Sequence, residues 1–165
     1  MKSLEFIIDK YMETLIYFIN KFVRNINVAE DLAQDVFVYI MINQKDYDFK
    51  YSLKTYLYTI GKCRALNYLK KEEKITSLNE NIPIDENEIE EIIFRKEKNK
   101  NLRKAINKLG NEQSKAIFLV DIEGLTYKEA CRVLDTNMSN LKSLIHRGRK
   151  KLKKILQKEG EKYDR

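Results

Sequence analysis

A single proline, Pro83, and five scattered glycines are all that punctuate these 165 residues. So few breakers leave no means of making the many tight turns of a sheet protein, and they direct the chain toward helices. From Leu4 onward, Leu4, Ile7, Ile8, Tyr11, Leu15, Phe18, Ile19 and Phe22 recur at three- and four-residue spacing, which is one stripe of an amphipathic helix. A second helix is expected from near Val28. Ala29, Leu32, Ala33, Val36 and Ile40 share one of its faces, and Asp31, Gln34, Asp35 and Val38 share the other. After a polar break from Asn43 to Ser52, a third helix is predicted from about Leu53 to Lys71. Leu53, Leu57 and Ile60 mark one side of it while Leu66 and Leu69 point elsewhere, so cover on two sides is expected.

The second half repeats the helical pattern in shorter pieces. Leu102, Ala105, Ile106 and Leu109 form one stripe, Gly110-Asn111 interrupts it, and Ala116, Ile117 and Val120 continue in a second. Thr126 and Glu129 have capping-box spacing, which starts a short helix over about Tyr127 to Leu134. Asp135-Thr136-Asn137 then reads as a three-residue turn, because Asp tolerates a left-handed backbone and Asn caps the helix that follows. A capped helix, a tight turn and a second helix, here Met138 to about Lys158, make a helix-turn-helix. That last helix sets Leu141, Leu144, Ile145, Leu152 and Ile155 on its apolar side.

Charge divides the chain in the same places. The formal net charge of +7 is distributed as +2 over residues 1–75, −4 over 76–99 and +9 over 100–165. The expected architecture is all-α, with two small helical domains, 1–74 and 101–165, joined by an acidic linker over 75–100 that carries Pro83 and a weak helix from Glu88. No apolar run reaches the roughly 18 residues of a membrane span, and the amino terminus lacks a signal-peptide pattern; a cytoplasmic protein is expected. Cys63 and Cys131 have no Cys or His at ligand spacing, so both read as reduced thiols, with no metal site and no cofactor. His146 is the one histidine and no nucleophile–base pair is recognisable, which points away from an enzyme.

The basic surplus has a definite address. Between Lys142 and Lys154 there are seven Lys or Arg and no acid, a strip suited to phosphates. Ser139, Asn140, Lys142, Ser143, His146, Arg147 and Lys150 share the polar side of the last helix, where short side chains suit base edges and long cations suit the backbone. Duplex DNA binding is the favoured reading over a merely solvated basic helix. The cluster Tyr47, Phe49, Tyr51, Tyr56 and Tyr58, interleaved with Lys45, Lys50, Lys54 and Lys62, has the composition of a single-strand platform, although tyrosines at such spacing more often pack into a core. The row Asp31, Gln34, Asp35 taken alone is an ordinary wet helix face.

Both halves together resemble the bacterial RNA polymerase sigma factors, the sigma-70 family, of the extracytoplasmic-function type. Region two is resembled through Ala29-Glu30-Asp31-Leu32-Ala33-Gln34-Asp35-Val36-Phe37, Tyr47-Asp48-Phe49 and Ser52 to Ile60. Region four is resembled through Ala105 to Leu109, Ile122 to Ala130 and Lys142 to Leu152. The resemblance implies that Asp31, Gln34, Asp35 and Val38 dock on core RNA polymerase, at the clamp helices of its largest subunit, with a further contact at the flap. It implies that Lys45, Tyr47, Phe49, Lys50, Tyr51, Lys54, Tyr56 and Lys62 take an extruded base and the non-template strand of the minus-ten element. Thr126, Ser139, Asn140, Lys142, Ser143, His146, Arg147, Arg149 and Lys150 would read the minus-thirty-five element as duplex, and the linker would thread toward the RNA exit path. An anti-sigma partner is frequent in that family. Tyr56 stands where the family commonly has Trp, Leu144 and Ser114 where it commonly has Arg, Asn140 where Thr is frequent and Asp135 where Gly is. The alternative is a stand-alone helix-turn-helix repressor or activator whose first domain dimerises or binds a ligand.

Overall fold

The computed structural model describes residues 3–47, 50–76 and 100–163. It divides into two compact units, Met1–Phe94 and Arg95–Arg165. Most of the expected linker, and the weak helix from Glu88, lie outside the described residues.

In the first unit, α1 (Leu4–Val23) begins where the Ser3 hydroxyl accepts from the Phe6 amide, and it ends at Arg24, whose left-handed backbone (φ 51°, ψ 40°) returns its N–H to the Asn20 carbonyl. Asn25 at once caps α2 (Ile26–Ile42), its side-chain oxygen accepting from Asn27 and Val28 at 3.1 and 3.2 Å. That cap moves the start of α2 two residues ahead of the apolar pattern. A 3₁₀ turn at Gln44–Asp46 follows, and then α3 (Leu53–Thr76), started by Ser52, whose hydroxyl accepts from the Thr55 amide at 3.2 Å. Each of the three helices packs on the other two.

The core of this unit is Leu15, Phe18, Ile19, Ala29, Ala33, Val36, Phe37, Leu57, Tyr58 and Ala65. Phe18 stands edge-on to both Phe22 and Tyr58, with ring centroids 5.2 and 5.1 Å apart, the geometry that aromatic quadrupoles favour. Gly61 lets α3 approach α1 closely, since a Cβ there would lie 2.9 Å from Leu15 Cδ1. The expectation of cover on two sides of α3 fails at Leu66, which is 38% exposed; three helices close only one core, and Leu66 lies off it.

The second unit is built from α4 (Lys100–Asn107), α5 (Asn111–Ile117), α6 (Tyr127–Leu134) and α7 (Met138–Tyr163). Between α5 and α6 the chain widens into a π-turn, Phe118–Ile122, closed by Glu123 N–H donating to the Phe118 carbonyl at 2.9 Å. Gly124 at φ +74° then redirects the chain. Thr126 and Glu129 form the reciprocal capping box, the Glu129 amide donating to the Thr126 hydroxyl at 3.1 Å and the Thr126 amide to Glu129 Oε2 at 2.9 Å. Asp135 takes the left-handed conformation (φ 52°, ψ 53°) that ends α6, and Asn137 caps α7 by accepting from the Asn140 amide at 2.7 Å. The helix-turn-helix therefore has the boundaries that its caps dictate.

Ala105, Ile106, Leu109, Ala116, Ile117, Phe118, Leu119, Leu125, Ala130, Val133, Leu141 and Ile145 form the second core. α7 crosses α5 at Gly148, where a Cβ would lie 2.9 Å from Ile117 Cγ1 and 3.2 Å from its Cδ1. Ile117 is fully buried and has little room to yield. Gly148→Ala is expected to destabilise this unit by about 1–2 kcal/mol, because overpacking of about 1–3 kcal/mol exceeds the helix-propensity gain of up to about 1 kcal/mol. Gly160→Ala, on the same helix with nothing within 4 Å, is expected to stabilise by up to about 1 kcal/mol. Thermal denaturation of the two variants should therefore show shifts of opposite sign.

Candidate nucleic-acid interface

α7 buries Leu141, Ile145 and Gly148, with Leu144, Leu152 and Ile155 half-buried along the same side. Those spacings of three and four commit one stripe to the core and turn the rest of the helix outward. Ser139, Asn140, Lys142, Ser143, His146, Arg147, Arg149 and Lys150 are all exposed. The short side chains occupy the first turns and the cations follow, so one face presents hydrogen-bonding groups at one end and positive charge along its length.

Three of the sequence-predicted residues have internal partners that qualify their place in this face. Arg149 is held by Asp121 in a bidentate pair, with its Nη2 2.6 Å from Oδ1 and its Nε 3.0 Å from Oδ2. That bond raises the guanidinium's already high pKa, against a smaller opposing effect of burial. Thr126 is exposed, and its hydroxyl closes the capping box. Asp121 was not legible as a site residue: it is 28 positions from Arg149, and the π-turn that carries it has no periodic signature. Asn140 is tied as well, its amide nitrogen donating to Thr136 Oγ1 at 2.7 Å.

In the first unit, α2 buries Ala29, Ala33, Val36 and Phe37 and exposes Asp31, Gln34, Asp35 and Val38 as one row. The row continues into apolar residues that the sequence reading omitted, Met41 at 47% and Ile42 at 73% exposed. Their spacing of three and four from Val38 was the available signal. The face thus runs from acidic to apolar.

Beyond it, Tyr47 donates its hydroxyl to the Tyr51 carbonyl at 2.7 Å, and the rings of Tyr47 and Tyr56 meet at 5.1 Å. Lys50 Nζ lies 5.9 Å from the Tyr51 ring centre. Lys45 and Lys50 are exposed, while Tyr47, Tyr51, Lys54, Tyr56 and Lys62 are half-buried. Phe49 lies outside the described residues. Tyr58 leaves the cluster: it is 1% exposed and packs on Phe18, so it serves the core and presents no face to a base. Arg64, over the Tyr39 ring at 5.4 Å, adds a cation that the sequence reading did not name.

Among the described residues no group of three His, Cys, Asp or Glu is placed to hold a metal ion, and no helix is long and apolar enough to cross a membrane. Cys63 and Cys131 are free thiols, and burial pushes that of Cys131 up.

The geometry separates residues that hold the fold from residues that face outward. Thr126→Ala should lower stability by about 1 kcal/mol through the lost cap, and Arg149→Ala by no more than about 1 kcal/mol, since the pair is half exposed. Lys142→Ala and Lys150→Ala should stay within about 0.5 kcal/mol of the parent. Chemical denaturation of the four variants checks this.

Comparison with known proteins follows the same division. The family model for Sigma-70 region 2 matches residues 7–75, and that for Sigma-70, region 4 matches residues 99–152. The RNA polymerase sigma factor YlaC of Bacillus subtilis is 26% identical, over 96% of this chain and 95% of its own length. The ECF RNA polymerase sigma factor SigM of the same organism is 23% identical, over 93% and 94%. Among solved structures, the sigma factor RpoE in complex with the anti-sigma factor NepR from Bartonella quintana matches with a TM-score of 0.68 at 21% identity, over 95% of this chain and 98% of that one. CnrH in complex with the cytosolic domain of CnrY matches at 0.57 and 19% identity, over 93% and 87%.

Proposed function

This chain belongs to the sigma-70 family of RNA polymerase sigma factors, in its extracytoplasmic-function branch, and on that premise we propose how its residues divide the work of promoter-directed initiation. Asp31, Gln34, Asp35 and Val38 dock on the clamp helices of core RNA polymerase. Lys45, Tyr47, Phe49, Lys50, Tyr51, Lys54, Tyr56 and Lys62 hold the separated strand of the minus-ten element. The exposed face of α7, from Ser139 to Lys150, reads the minus-thirty-five element as duplex. The protein works in the cytoplasm, contributes no catalytic group, and is open to an anti-sigma partner of the kind that NepR is for RpoE.

One observation carries this reading. A single chain holds two exposed surfaces of different chemistry, an acidic-to-apolar row beside a Tyr-Lys loop in one unit and a basic recognition helix in the other. A repressor or activator whose first domain dimerises or binds a ligand has no need of an acidic row beside an aromatic-basic loop.

Strand opening then draws on binding. Unstacking a base costs a few kcal/mol, and stacking on an aromatic ring returns about 1–3 kcal/mol per base. Aromatic capture alone about balances that cost, so the lysines beside the rings must tip it. Tyr51→Ala keeps the backbone carbonyl that receives the Tyr47 hydroxyl and removes only the ring. With core polymerase and a promoter that the wild type opens, Tyr51→Ala and Phe49→Ala should reduce permanganate-detected opening by more than tenfold, the equivalent of about 1.4 kcal/mol, while closed-complex binding changes little. Equal losses in both assays would contradict the assigned role.

A further inference from the structure

In the first turn of the recognition helix, one exposed side chain is tied to the turn before any DNA arrives, as Arg149 farther along is tied to Asp121. Asn140 is exposed, and an exposed asparagine ordinarily samples several rotamers. Here its Nδ2 donates to Thr136 Oγ1 at 2.7 Å. Thr136 is in turn anchored, half-buried, by its amide donating to the Cys131 carbonyl at the end of α6 at 3.1 Å. The Asn140 backbone is held by the Asn137 cap. One N–H of the side-chain amide is therefore engaged with the turn, and the exposed residue keeps its carbonyl oxygen and second N–H for another partner.

We propose that Asn140 is a specificity-determining residue that selects adenine in the upstream promoter element, with Thr136 as its positioning residue; the proposal rests on the promoter-reading role of α7. In the major groove only adenine sets an N6 donor beside an N7 acceptor, which a carbonyl and an N–H match in pairs. Guanine offers two acceptors, which leave the carbonyl opposed. Thymine offers an acceptor and a methyl group, and cytosine a donor with no acceptor beside it. The position suits the task, because the first turn of a recognition helix is the part that reaches base edges. The neighbouring Ser139 and Ser143 are short, and Lys142, Arg147 and Lys150 are exposed farther along, where cations set register against phosphates.

The test uses the full chain bound to bacterial core RNA polymerase, offered promoter duplexes randomised across the upstream element, with the bound fraction sequenced. The wild type is expected to prefer adenine at one position by roughly ten- to hundredfold. Asn140→Ala should level the four bases at that position and leave the others as they were. Asn140→Asp keeps an acceptor and removes the donor, so preference there should move to cytosine, a change that loss of a helix cap does not produce. Thr136→Ala should weaken the adenine preference several-fold at the same position alone, and thermal denaturation of each variant separates this from unfolding. If Asn140→Ala and Asn140→Asp select the same sequences as the wild type, the adenine assignment is overturned while the sigma reading stands. A wild-type holoenzyme with no base preference anywhere would overturn the reading beneath it.

Discussion

The close seating of α7 on α5 at Gly148 is the contact on which the second unit depends. Without a Cβ at that point the two backbones approach until Ile117 fills the space, and Leu141 and Ile145 follow into the core. Once this stripe is fixed, the opposite face of α7 has no packing duty. Its cations and short polar groups are then exposed by geometry rather than by any interaction of their own. The Asp121–Arg149 pair and the capped turn before Met138 set the start and the flank of that face, so the array is held while its members stay free of the core.

The same logic governs the first unit. Gly61 and the alanines at 29 and 33 draw three helices together around Phe18, and α2 needs only a narrow stripe for burial. Its outer row therefore contributes little to folding. Asp31 and Asp35, like charges four residues apart, in fact cost about 0.2–0.5 kcal/mol on an isolated helix. The fold does not need this row, which carries a small penalty and ends in exposed Met41 and Ile42; it is the surface that the proposed docking on core polymerase uses.

What the sequence revealed follows the range of the forces involved. The Thr126–Glu129 capping box, the left-handed Asp135 and the Asn137 cap act within three or four residues, and all three were legible as spacing. The long stripes of α1 and α7 were legible because a 3.6-residue period repeats over many turns. The pairing of Arg149 with Asp121, the burial of Tyr58 against Phe18 and the exposure of Leu66 were not, since each depends on which helices meet. Composition could not distinguish Tyr58 from Tyr56, although one closes a core and the other lies beside Tyr47. The restraint on Asn140 by Thr136 was within reach at four residues, but it becomes visible only once the turn's conformation is known.

We propose that this chain joins core polymerase through the outer row of α2. Co-elution with bacterial core RNA polymerase in size-exclusion chromatography, with the Asp31→Arg, Asp35→Arg double variant run beside the wild type, tests it most directly. The wild type should form a complex that is lost in the variant, with both proteins folded by circular dichroism. A wild type that fails to join core yet binds duplex DNA alone would contradict it and leave a free-standing helix-turn-helix regulator in its place.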